Sequence, residues 1–277
     1  MAQTNIIETR DPMLASKEMG LMMGVEIEVP ITPDEVEKGI EKGKPSDGFD
    51  VTDQTLHEPF EGGSVNSELI CCDYFGGRDY GADTREHGIE ARTPDGGIHY
   101  RAIGDWYEAA WNELEERFGP IEPTGYYGGG TAGLHTHVSP ITEEQANALY
   151  EFSKTAHAKV FCCTSVARDD CDVLRPGHCD FPEERDEYHD CCVNKHRSGG
   201  EGHYEWRLPE PMYPDHFRLL VEFIARFMRD TSDGMEFARR LVMDGDERIT
   251  SIRRARKCGI SDVPADNEAA RLLKTVA

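Results

Sequence analysis

The sequence predicts an α+β protein in which a curved antiparallel sheet carries helices on one face and leaves an open polar face on the other. Two observations support this fold class. Four short segments alternate polar and apolar residues with a period of two, which is typical of strands with one buried face. Single helices or helical hairpins separate these strands along the chain. The four segments are residues 24–29, 88–93, 133–139 and 203–208.

Each alternating segment places its chemically reactive side chains on one face. The apolar set on the opposite face can pack into a core. We therefore predict that the polar faces belong to one sheet and meet. The polar set comprises Glu26, Glu28, Glu90, Arg92, His135, His137, Glu205 and Arg207.

The first strand is predicted over residues 21–29 and ends at Pro30, after an irregular leader at 1–19. A short helix is expected at 33–40, and further strands are expected at 49–56 and 64–72.

A clear amphipathic helix is predicted over residues 105–118, with Asp105 as its N-cap and Gly119-Pro120 as its terminator. Thr142, with Gln145 in the capping-box position, predicts a second helix that runs to about Val160. Later helices are expected at 215–229, 232–243, 247–257 and from Asp266 onwards.

These elements predict a single domain over residues 20–277, with a helical C-terminal extension from about residue 231. Residues 162–199 are rich in Cys and His and read as a long loop insertion with short elements. The nine cysteines include three adjacent pairs, which do not form a disulfide framework. A zinc site in this segment is an open alternative to small buried thiols. Its ligands would come from Cys162, Cys171, Cys179, Cys191, and His189 or His196.

The charge balance is strongly acidic, because 53 Asp and Glu residues outnumber 30 Lys and Arg residues and give a net charge of -23. Only 9 of the basic residues are Lys, against 21 Arg. This composition predicts a surface adapted to a salt-rich cytoplasm and argues against nucleic-acid binding. No signal peptide or apolar run of membrane-spanning length is apparent, so we expect a soluble, cytoplasmic protein that has no membrane partner.

The polar set indicates metal and phosphate chemistry. Paired carboxylates such as Glu26 and Glu28 hold hard divalent ions, although an acidic protein also carries such pairs on ordinary surface strands. His135 and His137 are a potential ligand pair, and the alternative is two half-buried histidines that hydrogen-bond to their neighbours. Glu205 and Arg207 are a potential metal ligand and a fixed cation, and the alternative interpretation is an ordinary surface ion pair. Together, the carboxylates, imidazoles and guanidinium supply what phosphoryl transfer requires, without a P-loop.

Three of the segments resemble the signature strands of the amidoligases, which are carboxylate–amine ligases with a glutamine-synthetase-like catalytic fold. They are residues 24–29 (GVEIEV), 133–139 (GLHTHVS) and 204–209 (YEWRLP), and the resemblance covers roughly residues 20–230. It implies ATP- and Mg²⁺- or Mn²⁺-dependent amide formation through an acyl phosphate. The implied substrates are a small-molecule or peptide carboxylate and an amine, and the oligomeric state is left open.

The resemblance also implies a role for each site residue. Metal ligands would be Glu26, Glu28, Glu90, His135 and Glu205. His137 and Arg207 would contact phosphate and act as catalytic residues. Arg92 departs from the small residue that is usual in the family and would border the nucleotide or acceptor pocket, while Asp53 and Asn194 match the family only weakly. The alternatives are an inactive amidoligase-like binding protein and a zinc-stabilised interaction module.

Overall fold

The computed structural model describes residues 20–30, 59–66, 71–76, 87–93, 97–121, 123, 126–127, 130–131, 133–164, 192–195, 203–250 and 253. Over these residues the chain combines antiparallel strands with helices, which confirms the α+β class. The strands are β1 (Met22–Pro30), β2 (Pro59–Asn66), β3 (Cys71–Gly76), β4 (His87–Arg92), β5 (Ile98–His99), β6 (Tyr126–Tyr127), β7 (Gly130–Thr131), β8 (Leu134–Ser139), β9 (Val193–Lys195) and β10 (Tyr204–Trp206). The helices are α1 (Tyr100–Phe118), α2 (Glu143–Ser153), α3 (Ala156–Phe161), α4 (Pro214–Arg229) and α5 (Thr231–Met243).

The main sheet is built around β1. Its strand order is β2-β3-β4-β1-β8-β10-β9, with β5 paired to the start of β1, and every described pairing is antiparallel. The two-residue strands β6 and β7 pair separately. Because β1 lies between β4 and β8, strands from distant parts of the chain flank the same central residues.

The apolar side chains of β1 form the centre of the core. Val25, Ile27 and Val29 are at most 1% exposed, as their alternation with glutamates predicts. Helices pack against this face, and the ring of Tyr107 in α1 stacks on Phe217 in α4 with 3.9 Å between ring centroids. The polar side chains of β1 therefore lie on the sheet face opposite the apolar core.

The first helix begins earlier than predicted. Its N-cap is His99, whose side chain accepts a hydrogen bond from the backbone N–H of Arg101 at 3.3 Å. Asp105 lies inside the helix and bonds instead to Arg218, so its assignment as N-cap was wrong. The apolar stripe extends back to the fully buried Ile103, and this packing stabilises an extra turn.

The helix predicted over 142–160 is divided into α2 and α3. The capping box of Thr142 and Gln145 is confirmed at its start. The prediction of one continuous helix was wrong because the Thr155 side chain accepts a hydrogen bond from the backbone of Ala158 and begins a second helix. Helices α4 and α5 match the predictions to within one residue at either end, and α5 packs into the core through Ala238.

The strand predicted over 64–72 was also wrong. Residues 64–66 and 71–72 belong to β2 and β3, which pair antiparallel with Asn66 opposite Cys71. The leader at 1–19, the helix at 33–40, the strand at 49–56 and the helix from Asp266 lie outside the described residues. Of the helix predicted at 247–257, residues 250 and 253 are helical and residue 247 lies in a preceding turn. None of the described helices is both long enough and apolar enough to cross a membrane.

Candidate metal centre

The register of the sheet brings the predicted polar residues onto one face. Glu26 of β1 pairs with Arg92 on one side and with His135 on the other, while Glu205 pairs with His137. Residues that lie directly opposite each other in an antiparallel pair project to the same face. The predicted convergence of the acidic, imidazole and guanidinium side chains is therefore confirmed for the described members.

His135 lies among three carboxylates. Its Nδ1 is 3.0 Å from Glu26 Oε2 and 3.5 Å from Glu205 Oε1, and its Nε2 is 3.6 Å from Glu28 Oε1. Glu28 is held from the other side by the backbone N–H of Gly133, which donates a hydrogen bond of 2.6 Å to Oε2. The imidazole thus bridges β1 and β10 through carboxylates of both strands.

His137 belongs to a group of three residues, within the described part of the chain, whose ligand atoms are close enough together to hold a metal ion. One ligand atom from each of Glu26, His137 and Glu205 lies within 4.8 Å of the others. His137 Nε2 itself is 3.4 Å from Glu26 Oε1. Ligand atoms at about 2.1 Å from an octahedral ion are about 3.0 Å apart when adjacent and about 4.2 Å apart when opposite, so three atoms within 4.8 Å of one another need only a small approach to bind one divalent cation.

This grouping differs from the ligand set implied by the resemblance. That set includes His135 and gives His137 a phosphate contact, whereas the side-chain geometry adds His137 to the candidate ligands. The cause is the register, since His137 lies directly opposite Glu205 and near Glu26. Two carboxylates and one imidazole make a donor set that is compatible with Mg²⁺ or Mn²⁺.

The polar face is less open than predicted. The side chains of His135 and Glu205 are only 4% and 2% exposed. The side chain of Glu26 is more accessible than these two, at 29%. In such a setting the electrostatic interactions are strong because little water screens them.

The charges in the cluster depend on one another. Burial raises the pKa of Glu26, but hydrogen bonds with His135 and His137 outweigh it and hold that pKa well below its usual range. Burial lowers the pKa of His137, but Glu26 and Glu205 more than offset this, and the net pKa is raised. The carboxylates therefore attract positive charge to this place, whether a proton or a metal ion.

Arg207 supplies a buried guanidinium beside this cluster. It follows the end of β10, and its Nη1 donates a hydrogen bond of 2.8 Å to Glu205 Oε1. Burial opposes the charge of both groups. Even so, the attraction to Arg207 lowers the pKa of Glu205 to about 2, and the attraction to Glu205 raises the pKa of Arg207.

Gly24 leaves space beside His137. The two residues are opposite each other on β1 and β8, and a Cβ at Gly24 would lie 3.2 Å from Thr93 Oγ1 and 3.4 Å from His137 Cβ. The glycine that begins the alternating segment thus belongs to the same polar face and keeps the imidazole uncrowded.

Two predicted site residues are described less fully. Glu90 pairs through its backbone with Glu28, and its side chain lies outside the described part of the chain. Arg92 is partly buried and lies opposite Glu26 at the β4 side of the cluster. Its role beside a nucleotide or acceptor remains a prediction, and Asp53 lies outside the described residues.

His203 was missed in the sequence, although it lies in one of the four segments. Its Nε2 is 3.1 Å from His137 Nδ1. The period-two alternation could have identified it, because His203 is two residues before Glu205 and so projects to the same polar face. Asn194 lies opposite Glu205 on β9, so its weak match does fall at the site.

The proposed zinc segment is described only at its ends. Cys162, Cys163 and Cys192 are buried and form no disulfide, and burial raises the pKa of the Cys162 thiol well above its usual value. The protonated thiol is a poor metal ligand. The other candidate zinc ligands, Cys171, Cys179, Cys191, His189 and His196, lie outside the described residues.

Neither a protein-family model nor a curated protein matches this sequence.

Proposed function

We propose that the protein is an ATP- and Mg²⁺-dependent ligase that forms an amide bond between a carboxylate and an amine, as an amidoligase with a glutamine-synthetase-like catalytic domain. One observation carries the proposal. Glu26, His137 and Glu205 approach one another within 4.8 Å on a sheet face that also holds the buried cation Arg207. A metal-binding group next to a fixed guanidinium suits phosphoryl transfer better than simple ion storage.

Each group has a defined part in this proposal. Glu26, His137 and Glu205 hold a divalent ion, which, when bound, neutralises the phosphate oxygens of ATP. Glu28 and His135, whose Oε1 and Nε2 are 3.6 Å apart, offer ligands for a second ion. The proposal also gives Glu90 the role of a metal ligand, as the resemblance implies. Arg207 offsets negative charge as the terminal phosphate is transferred, and Arg92 borders the substrates.

The proposed reaction proceeds in two steps. An oxygen of the substrate carboxylate attacks the terminal phosphorus of ATP, the bond to the bridging oxygen breaks, and ADP leaves with that electron pair. The amine then attacks the acyl carbon, and the carbon–oxygen bond to phosphate breaks. The amine loses a proton and phosphate departs. The buried position of Glu205 and Arg207 limits water, which would otherwise hydrolyse the acyl phosphate.

The proposal is tested by product analysis at high salt, because the acidic composition leads us to propose a salt-rich cytoplasm as the working environment. The protein is incubated with ATP, Mg²⁺, pooled amino acids and amines, and hydroxylamine as a trapping amine. We expect ADP release and an acyl hydroxamate, both lost in Glu205→Gln and retained in Glu144→Gln, an exposed control on α2. No hydroxamate and no ADP from any mixture would contradict the proposal.

The alternative is an amidoligase-like protein that binds nucleotide without turnover, since the same cluster would serve both. Thermal unfolding distinguishes the two. Stabilisation by ATP and Mg²⁺ that depends on Glu26 and Glu205, in the absence of any product, would support the binding protein.

A further inference from the structure

His137 contacts a second histidine on the side away from the carboxylates. Its Nδ1 lies 3.1 Å from Nε2 of His203, and the two rings are tilted by 57° with 5.3 Å between centroids. The distance and the tilted rings fit a hydrogen bond between ring nitrogens. His203 immediately precedes β10, the strand that carries Glu205.

The contact links the protonation of the two rings, because one of the two nitrogens must donate and the other must accept. A neutral imidazole has one N–H and one lone pair, and a hydrogen bond at one nitrogen fixes the state of the other. His137 Nε2 faces Glu26 Oε1 at 3.4 Å, so this nitrogen must present its lone pair if the residue is to bind a metal. Its Nδ1 must then carry the proton and donate it to an acceptor, which His203 Nε2 provides.

We propose that His203 is a positioning residue that accepts a hydrogen bond from His137 Nδ1 and thereby holds His137 Nε2 ready to bind a divalent ion. The inference rests on the proposed function, because it assumes that the cluster binds the metal. It adds a residue that neither the motif strands nor the ligand geometry assigns to the site.

The choice of an imidazole as acceptor follows from the charge already present. A ligating histidine commonly donates its second N–H to a carboxylate, a carbonyl or water. Here Glu26, Glu28 and Glu205 already converge on His135 within 3.6 Å. A fourth carboxylate would increase the repulsion in the buried site, whereas an imidazole can accept the hydrogen bond and orient His137 without adding negative charge.

The first part of the test compares two substitutions of His203. His203→Phe keeps a planar ring but removes the acceptor, and His203→Gln places an amide oxygen near the position of Nε2. Titration calorimetry with Mn²⁺ should show binding about 10-fold to 100-fold weaker in the Phe variant and restored to within about threefold in the Gln variant. Equal affinity in the wild type and both variants would overturn the inference while leaving the metal site intact.

The second part reads the tautomer directly. Nitrogen NMR of the Mg²⁺-loaded wild-type protein, labelled with ¹⁵N-histidine and assigned with His137→Gln, should place the proton of His137 on Nδ1 and show a scalar coupling across the hydrogen bond to Nε2 of His203. This measurement remains decisive if the Phe variant fails to fold. A proton on Nδ1 without this coupling would overturn the inference alone, whereas a proton on Nε2 would overturn it and also remove His137 from the proposed metal ligands. If the wild type binds neither Mn²⁺ nor Mg²⁺, the metal site of the proposed function fails, and the role of His203 fails with it.

Discussion

Arg207 and Glu205 form a buried ion pair at the edge of the acidic cluster, with 2.8 Å between Nη1 and Oε1. Removing the guanidinium would leave Glu205 charged and buried without its main counter-ion. We expect Arg207→Met to lower the free energy of unfolding of the metal-free protein by about 3 kcal/mol. Mg²⁺ should restore part of this loss, because the ion brings positive charge back to Glu205.

Chemical denaturation with and without Mg²⁺ measures this effect. Arg218→Met is the matched control, since Arg218 pairs with Asp105 and Glu108 at the surface and such pairs contribute about 0–1 kcal/mol. Equal losses in the two variants, or no recovery with Mg²⁺, would show that the pair does not belong to a metal-binding cluster.

Tyr107 gives a prediction on alkaline stability. It is fully buried, and this burial raises its pKa far above the usual value even though its hydroxyl donates a hydrogen bond of 2.9 Å to the carbonyl of Met212. In the unfolded chain the phenol ionises near pH 10, whereas in the folded protein it stays neutral. Its contribution to stability is therefore complete below pH 10 and is lost as pH rises above that value, by about 1.4 kcal/mol per pH unit.

Tyr107→Phe isolates this contribution. Below pH 10 the variant should be less stable by about 1 kcal/mol, because it lacks the hydrogen bond. Above pH 10 the gap should close and then reverse, since phenylalanine cannot ionise. Urea denaturation from neutral to strongly alkaline pH tests this, and a gap that stays constant with pH would contradict the burial of Tyr107.

Two helix glycines provide a test of the helical packing. A Cβ at Gly234 in α5 would lie 2.6 Å from both Cα and Cβ of Phe227 in α4, so α4 and α5 would have to separate. At Gly104 in α1 the nearest atom is the flexible end of Arg218 at 2.9 Å, which can move aside. Gly234→Ala should destabilise the protein by about 1–3 kcal/mol, whereas Gly104→Ala should be neutral or stabilising.

Thermal unfolding of both variants at one pH and salt concentration measures the difference. A Gly234→Ala variant as stable as Gly104→Ala would show that α4 and α5 do not approach as closely as described.

The central strands could be predicted from sequence because their pattern is local. In β1 the alternation of Val25, Glu26, Ile27 and Glu28 determines which side chains enter the core. In β8 the alternation likewise places His135 and His137 together on the polar face. The hairpin of β2 and β3 could not be predicted in this way. Residues 67–70 contain neither Gly nor Pro, so the sequence gives no signal of a break between residues 64 and 72, and the segment reads as one strand.

The contact of His203 with His137 and the start of α1 could not be predicted, because both depend on residues that are distant in sequence. His203 and His137 are 66 positions apart, and only the sheet order makes them neighbours. Asp105 is a better N-cap residue than His99 by intrinsic preference, but burial of Ile103 places the helix start earlier. Packing across the fold outweighed local preference at that position.

The central claim is that Glu26, His137 and Glu205 bind a divalent ion. The most direct test is an electron paramagnetic resonance titration of free Mn²⁺ against the wild type, Glu26→Gln, Glu205→Gln and the exposed control Glu144→Gln. The account predicts Mn²⁺ uptake by the wild type and by the control, with uptake severely weakened in the other two variants. Mn²⁺ that stays free in the presence of the wild type, or binds all four proteins equally, would contradict it.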